Sequence, residues 1–124
     1  MLEKGLTYKC TTTVDRTNTA SALGSGDMDV FATPAMIALM ENAAMKAVAS
    51  GLPEGSTTVG ALIHATHVKP SAPGKTVTAT AVLTCVQGRK LTFSVSVADN
   101  DGLIGEGEHV RYIVDRTEFL SRLS

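Results

Sequence analysis

The chain has 124 residues, a net charge of −1, 44% apolar residues and 19% charged ones. That is enough for one domain with a real core and too little for two, so residues 1–124 are read as a single domain. With no basic run, only 4% aromatics and no Trp, neither a nucleic-acid partner nor a base-stacking platform is expected.

The opening stretch, Met1 to Cys10, is too polar for a signal peptide. Leu6 to Val14 (L-T-Y-K-C-T-T-T-V) is rich in β-branched residues and reads as a strand. Asp15 to Asp29 is polar, contains Gly and lacks a period. It reads as a long loop with a short helical turn around Ala20 to Leu23, and connections of this length divide between plain surface loops and lids over a site.

Val30 to Ser50 follows as one Ala- and Met-rich helix. Thr33 suits the N-cap, Pro34 the first helical position, and Gly51 with Pro53 the stop. At 1.5 Å per residue, Pro34 to Ser50 spans roughly 25 Å. Its polar residues are few: Glu41, Asn42 and Lys46, among Ile37, Ala38, Met40, Ala44 and Met45. A helix apolar nearly all round is expected to be buried. A buried carboxylate is costly unless it is paired or put to use, which makes Glu41 the first functional candidate. Glu41 and Lys46 also interrupt the longest apolar run, so no membrane span is expected.

Four more strands complete the chain. Thr57 to Lys69 is one, and Pro70 to Gly74 is a turn. In Lys75 to Val86, Val77, Ala79, Ala81, Leu83 and Cys85 share one face. In Lys90 to Ala98, Leu91, Phe93, Val95 and Val97 face in. This is the period-two pattern of antiparallel strands with one packed face. Asn100-Asp101-Gly102 makes a hairpin turn into Leu103 to Val114. There Gly105 and Gly107 blur the alternation and point to a bulge or a close backbone approach. Asp115 to Ser124 forms a short helix or an extension. Five strands and one helix give an α+β fold in which a curved antiparallel sheet wraps a central helix. Cys10 and Cys85 have no Cys or His at ligand spacing, so reduced cytoplasmic thiols are expected, without a disulfide or metal.

The order and spacing of several short motifs resemble the hotdog fold, and within it the fluoroacetyl-CoA thioesterase-like family. They are V-F-A-T at Val30 to Thr33, L-M-E-N-A at Leu39 to Ala43 and V-G-A-L-I-H-A-T-H at Val59 to His67. To these add P-G-K-T-V-T-A-T-A at Pro73 to Ala81, V-Q-G-R-K-L-T-F from Val86, and the glycines and His leading to Arg111. The resemblance implies hydrolysis of an acyl-CoA thioester without a cofactor. It implies a homodimer, or larger assembly, whose sheets join edge to edge with active sites at the interface. Carried over by position, it implies Thr33, Glu41 and His67 as the catalytic set and Gly60 as a glycine that lets substrate approach the strand. Before the helix, members selective for fluoroacetyl groups carry a phenylalanine-bearing lid. Here the stretch is G-S-G-D-M-D-V-F, with Phe31 as its only aromatic, assigned with Gly60 to substrate binding.

The residue physics bears on each of these. A carboxylate in an apolar setting can activate water or attack a thioester carbonyl directly. Thr33 is equally an ordinary helix cap, and a helix N-terminus suits an oxygen that becomes negative. Thr33 and Glu41 lie about 12 Å apart along one helix and about 80° apart around it. A joint set is more easily built from two chains, Glu41 from one and the helix start from the other. His64 and His67, three apart on a strand, point to opposite faces. The resemblance selects His67, as partner of Glu41 or of the leaving thiolate, and His109 is read as structural. Arg111 is one of several cations available to CoA phosphates. An enoyl-CoA hydratase or dehydratase on the same fold and a non-catalytic acyl-CoA-binding module are the alternatives to hydrolysis. The first is disfavoured because an Asp-x-N-x-x-H-like segment is absent, and the second would not need Glu41.

Overall fold

The computed structural model describes residues 2–123. The alternating stretches form five antiparallel strands: β1 (Thr7–Thr13), β2 (Ser56–His67), β3 (Thr76–Gln87), β4 (Lys90–Asp99) and β5 (Gly102–Asp115). They make one sheet in the order β1-β3-β4-β5-β2, so β1 and β2 are its edges. Three helices accompany it: α1 (Ala20–Leu23), α2 (Thr33–Ala49) and α3 (Arg116–Ser121). The α+β arrangement expected from the hydrophobic pattern is therefore present, and the tail is a helix.

The core lies between α2 and one face of the sheet. From α2 come Met36, Met40, Ala43, Ala44 and Val48, and from the strands Val77, Ala79, Ala81, Leu83, Leu91, Phe93, Val95 and Val97. Those strand residues are the ones the alternation assigned to the packed face, apart from Cys85. A bulge explains that exception. Leu83 pairs with Phe93 but Cys85 pairs with Thr92, so Thr84 is an extra residue. The side-chain parity of β3 switches there, and Cys85 joins Thr92 on the polar face.

Two further expectations change. α2 is not buried all round: Thr33, Pro34, Ala38 and Lys46 are exposed, and Ala35, Ile37 and Leu39 are half-buried. Its small residues fit it closely against the sheet on one side and leave the other side open. Thr33 does not cap α2 either. The N-cap is Ala32, whose side chain makes no capping bond, and Thr33 is already helical.

Two more bulges matter for what the inner face presents. On β2, Gly60 pairs with Arg111 and Leu62 with Val110, which leaves Ala61 as the extra residue. On β5, Val97 pairs with Gly105 and Ala98 with Leu103, which leaves Ile104. The expected close approaches are also present. A Cβ on Gly105 would stand 2.5 Å from the Thr66 carbonyl oxygen and 2.6 Å from Met36 Sδ. A Cβ on Gly107 would stand 2.0 Å from the His64 carbonyl oxygen and 2.6 Å from the Ala65 Cα. Backbone cannot yield as a flexible side chain can. Gly107→Ala should therefore part β2 from β5 and destabilise the fold by about 3 kcal/mol. Denaturant unfolding of the variant beside wild type checks this, and an unchanged midpoint would contradict it.

Candidate active site

The Ala61 bulge sets which β2 side chains face α2. Before it, Thr58 and Gly60 lie opposite Ile113 and Arg111. After it, Ile63, Ala65 and His67 lie opposite His109, Gly107 and Gly105. All these β5 partners are odd-numbered and share one face as far down as Gly105, so Gly60 and His67 both look toward the helix. In an unbroken strand, residues seven apart would face opposite ways. His64 is exposed, on the face opposite His67, as three-residue spacing requires.

The candidate residues fall into two groups. At the start of α2, Thr33 Oγ1 and His67 Nδ1 are 2.8 Å apart. The Phe31 ring meets the His67 ring edge-on, with centroids 6.5 Å apart. Phe31 itself is buried. His67 Nε2 is buried and has no hydrogen-bond partner among the described residues. Burial holds the His67 pKa below its ordinary value, partly opposed by a hydrogen bond to the Lys69 backbone. A cleft of about 280 Å³ opens here, lined by Phe31, Thr33, His67, Val68 and residues Ala20 and Ser25 of the preceding loop.

That loop is an ordered wall. Thr19 caps α1 by accepting from the Ala22 N–H, and Gly24 closes it in the left-handed conformation at φ 73°. The Ala20 N–H donates to the Val30 carbonyl at 2.8 Å, and the Phe31 N–H to the Ser71 carbonyl at 2.9 Å. The helical turn expected at Ala20–Leu23 is present.

Further along α2, Glu41 lies over Gly60. A Cβ on Gly60 would stand 2.9 Å from Glu41 Oε2, 3.4 Å from His109 Cε1 and 3.5 Å from Arg111 Nη1. The missing side chain is thus what lets the carboxylate reach the strand backbone. Arg111 is only 7% exposed. It donates through Nε to Thr58 Oγ1 at 2.8 Å and through Nη2 to the Thr58 carbonyl at 2.9 Å. Its Nη1 is 3.2 Å from His109 Nε2, and His109 Nδ1 is 2.8 Å from the Leu62 carbonyl. Burial lowers the Arg111 pKa, opposed by the Glu41 charge. Burial also lowers that of His109, opposed first by its bond to Leu62; Arg111 lowers it further and Glu41 raises it.

Glu41 therefore shares a gap with Arg111 and His109, whereas the intramolecular partner of His67 is Thr33. Gly60 and His67 are about 20 Å apart along β2. Sequence reasoning treated His109 as structural and Arg111 as one surface cation among several. His109 is buried and hydrogen-bonded as a structural histidine would be, yet it also borders Glu41. The usable signal was the i, i+2 spacing of His109 and Arg111 on a strand, which puts both on one face.

His67, half-buried, and His109, buried, both bear on acid stability. With lowered folded-state values, His67 and His109 bind fewer protons when folded than when unfolded. Stability therefore rises with pH in the window below the ordinary value of 6.5 and is lost as pH falls through it. Thermal unfolding from about pH 8 to about pH 5 should show the melting temperature dropping on the acid side, with a shallower drop in His109→Gln. A flat profile would contradict the assignment.

Known proteins share the fold that carries this arrangement. The profile of the FlK family, fluoroacetyl-CoA-specific thioesterase, matches residues 14–117. A fluoroacetyl-CoA thioesterase of Streptantibioticus cattleyicolor is 40% identical over 95 residues, covering 77% of this chain and 68% of that protein. A crystal structure of the fluoroacetyl-CoA thioesterase FlK superposes with a TM-score of 0.93 at 32% identity, covering 99% of this chain and 96% of the other. An FlK variant solved with fluoroacetate and CoA gives 0.89 at 34% identity, covering 95% and 99%. A thioesterase superfamily member from Thermus thermophilus gives 0.90 at 25% identity, covering 98% and 90%. A five-stranded antiparallel sheet with one long helix, a carboxylate over a bare glycine and a Thr–His pair at the helix start thus occur in a chain that belongs to the fluoroacetyl-CoA-specific thioesterase family.

Proposed function

We propose that this chain hydrolyses the thioester of a short or small acyl-CoA to the free acid and coenzyme A, with Glu41 as the reacting carboxylate. The observation that carries this reading is Glu41 Oε2 standing 2.9 Å from where a Gly60 Cβ would be. A carboxylate so close to bare backbone, beside Arg111, is held where an acyl carbonyl can reach it. It can take a proton from attacking water or attack the carbonyl carbon itself. Either way the C–S bond breaks and the thiolate leaves; after direct attack, water then cleaves the Glu41–acyl anhydride to release the free acid. The start of α2, at the positive end of the helix dipole, is suited to the oxygen that becomes negative. Phe31 and Gly60 border the space the acyl group occupies. The preceding loop carries Leu23 and Met28 exposed and no phenylalanine before Phe31, which argues against strict fluoroacetyl selectivity.

The working site is composite and belongs to a homodimer. Three observations support this. The outer edge of β2 is unpaired among the described residues, twelve residues long, with Leu62 50% exposed and His64 also open. A long open edge is a template for another strand. Along that edge the Glu41 group lies by Gly60, near the middle, and the Thr33 group by His67, at one end. Antiparallel pairing of two β2 strands about the Ile63–His64 junction would set Gly60 of one protomer opposite His67 of the other, and so bring Glu41 of the first toward Thr33 of the second. His67, whose buried Nε2 has no partner among the described residues, then lies on the side of the joint that meets the partner protomer's Glu41.

A thiol-release assay across acyl-CoA chain lengths, including activated acetyl groups, tests the activity. Glu41→Gln should lower kcat by about 10²- to 10⁴-fold while CoA binding persists. Binding without thiol release by wild type would sink the hydrolase reading. Co-expressing Glu41→Gln and Thr33→Ala chains tests the composite site. Each mixed dimer holds one intact site and should regain activity that neither parent shows, whereas no recovery would place both residues in one chain's site.

A further inference from the structure

We propose that His109 is a positioning residue, which holds the Arg111 guanidinium toward Glu41 through its Nε2 lone pair and is itself anchored to the β2 bulge. The inference rests on the thioesterase reading for its kinetic consequence, but not for its geometry. The two contacts of the ring fix its tautomer. A carbonyl only accepts, so the 2.8 Å contact to Leu62 requires a proton on Nδ1. A guanidinium only donates, so the 3.2 Å contact from Arg111 Nη1 requires a lone pair on Nε2. Only neutral, Nδ1-protonated imidazole satisfies both. The anchor is the carbonyl of Leu62, the first residue past Ala61, so the extra residue that turns His67 inward also fixes this ring.

What the relay holds matters because Arg111 has no carboxylate within ion-pair distance. Among the described residues the salt bridges are Lys69–Asp99, Lys75–Asp101 and Arg122–Glu118. Arg111 instead spends three donors on neutral acceptors: Thr58 Oγ1, the Thr58 carbonyl and His109 Nε2. The Thr58 contacts fix the Nε and Nη2 corners of the fork, and His109 fixes the Nη1 corner, the one that borders Glu41 across Gly60. Without the Nε2 acceptor, the rigid plane can pivot about its Nε–Nη2 edge and carry that corner away from Glu41. The charge facing Glu41 would then lose its fixed direction, and misplacement by a fraction of the acyl group's size is costly to a reacting carboxylate.

Two conservative variants separate positioning from a purely structural role. His109→Asn retains a donor where Nδ1 stands and loses the acceptor for Arg111. His109→Gln retains an acceptor where Nε2 stands and loses the donor to Leu62. Positioning predicts that His109→Asn lowers kcat by about 10²-fold with KM unchanged, and that His109→Gln keeps most of kcat although it is the less heat-stable of the two. A structural role predicts one order for both readouts, and His109→Asn matching or exceeding His109→Gln in kcat would overturn the proposal. An activity-independent arm uses ¹⁵N NMR. Wild type should show His109 protonated at Nδ1 at neutral pH. Restricted Arg111 Nη signals should persist in His109→Gln and average out in His109→Asn. A proton on Nε2, or Arg111 signals alike in both variants, would overturn the relay whether or not wild type releases thiol. Failure of wild type to release thiol would count against the thioesterase reading alone.

Discussion

One extra residue in β2 is the constraint on which the site depends. Ala61 adds a position to the strand that β5 does not match, and side-chain parity reverses across it. Gly60 and His67 then share the inner face although they are seven apart. Gly60 lies under Glu41, His67 reaches Thr33 and Leu62 offers its carbonyl to His109. Substituting Ala61 alters one small exposed side chain. Deleting it would remove the bulge yet leave Leu62, Ile63 and His67 opposite the same β5 residues, so His67 would still face inward, now six residues from Gly60.

The same device explains what could and could not be read from the sequence. β3 and β4 alternate strongly, with Val, Leu and Phe on one face and Thr and Ser on the other, and their packed faces follow that pattern up to the Thr84 bulge. β2 reads G-A-L-I-H-A-T-H over Gly60 to His67, where small and polar residues occupy inner positions and no alternation marks the change of parity. The glycine signal in β5 did correspond to close approaches, beside a bulge at Ile104. Thr33 looked like a cap because Thr before Pro at a helix start so often is one. Its hydroxyl goes to a histidine thirty-four residues away instead, a pairing that local reading has no means to see. The lone carboxylate of an apolar helix pointed to Glu41, and the resemblance supplied His67 and Gly60. It gave His109 and Arg111 no part in the catalytic set, since their involvement depends on which strand lies beside β2.

Packing and chemistry also meet in α2. Ala43, Ala44 and Ala47 let it lie close to the sheet, and Met36 fills the space that Gly105 leaves. This fixes the helix as a rigid bar between two groups, with Thr33 at one end and Glu41 in the middle. Rigid elements place reacting groups more accurately than loops do. The half-buried Ala35, Ile37 and Leu39 show how the helix divides its surface: one flank makes the core and the other borders the space above it.

Arg111 carries a consequence for how such a protein can change. A buried cation held only by neutral acceptors adds less to folding than well-packed apolar atoms of the same volume would. Replacing it with Met or Leu beside Leu91, together with apolar residues at Thr58 and His109 so that the acceptors it now satisfies are not stranded, would tend to raise heat resistance. The same replacement would strip the carboxylate's gap of its positive charge. Selection for thermostability and selection for turnover therefore pull in opposite directions at this position, and a library screened only for folding would drift away from arginine there.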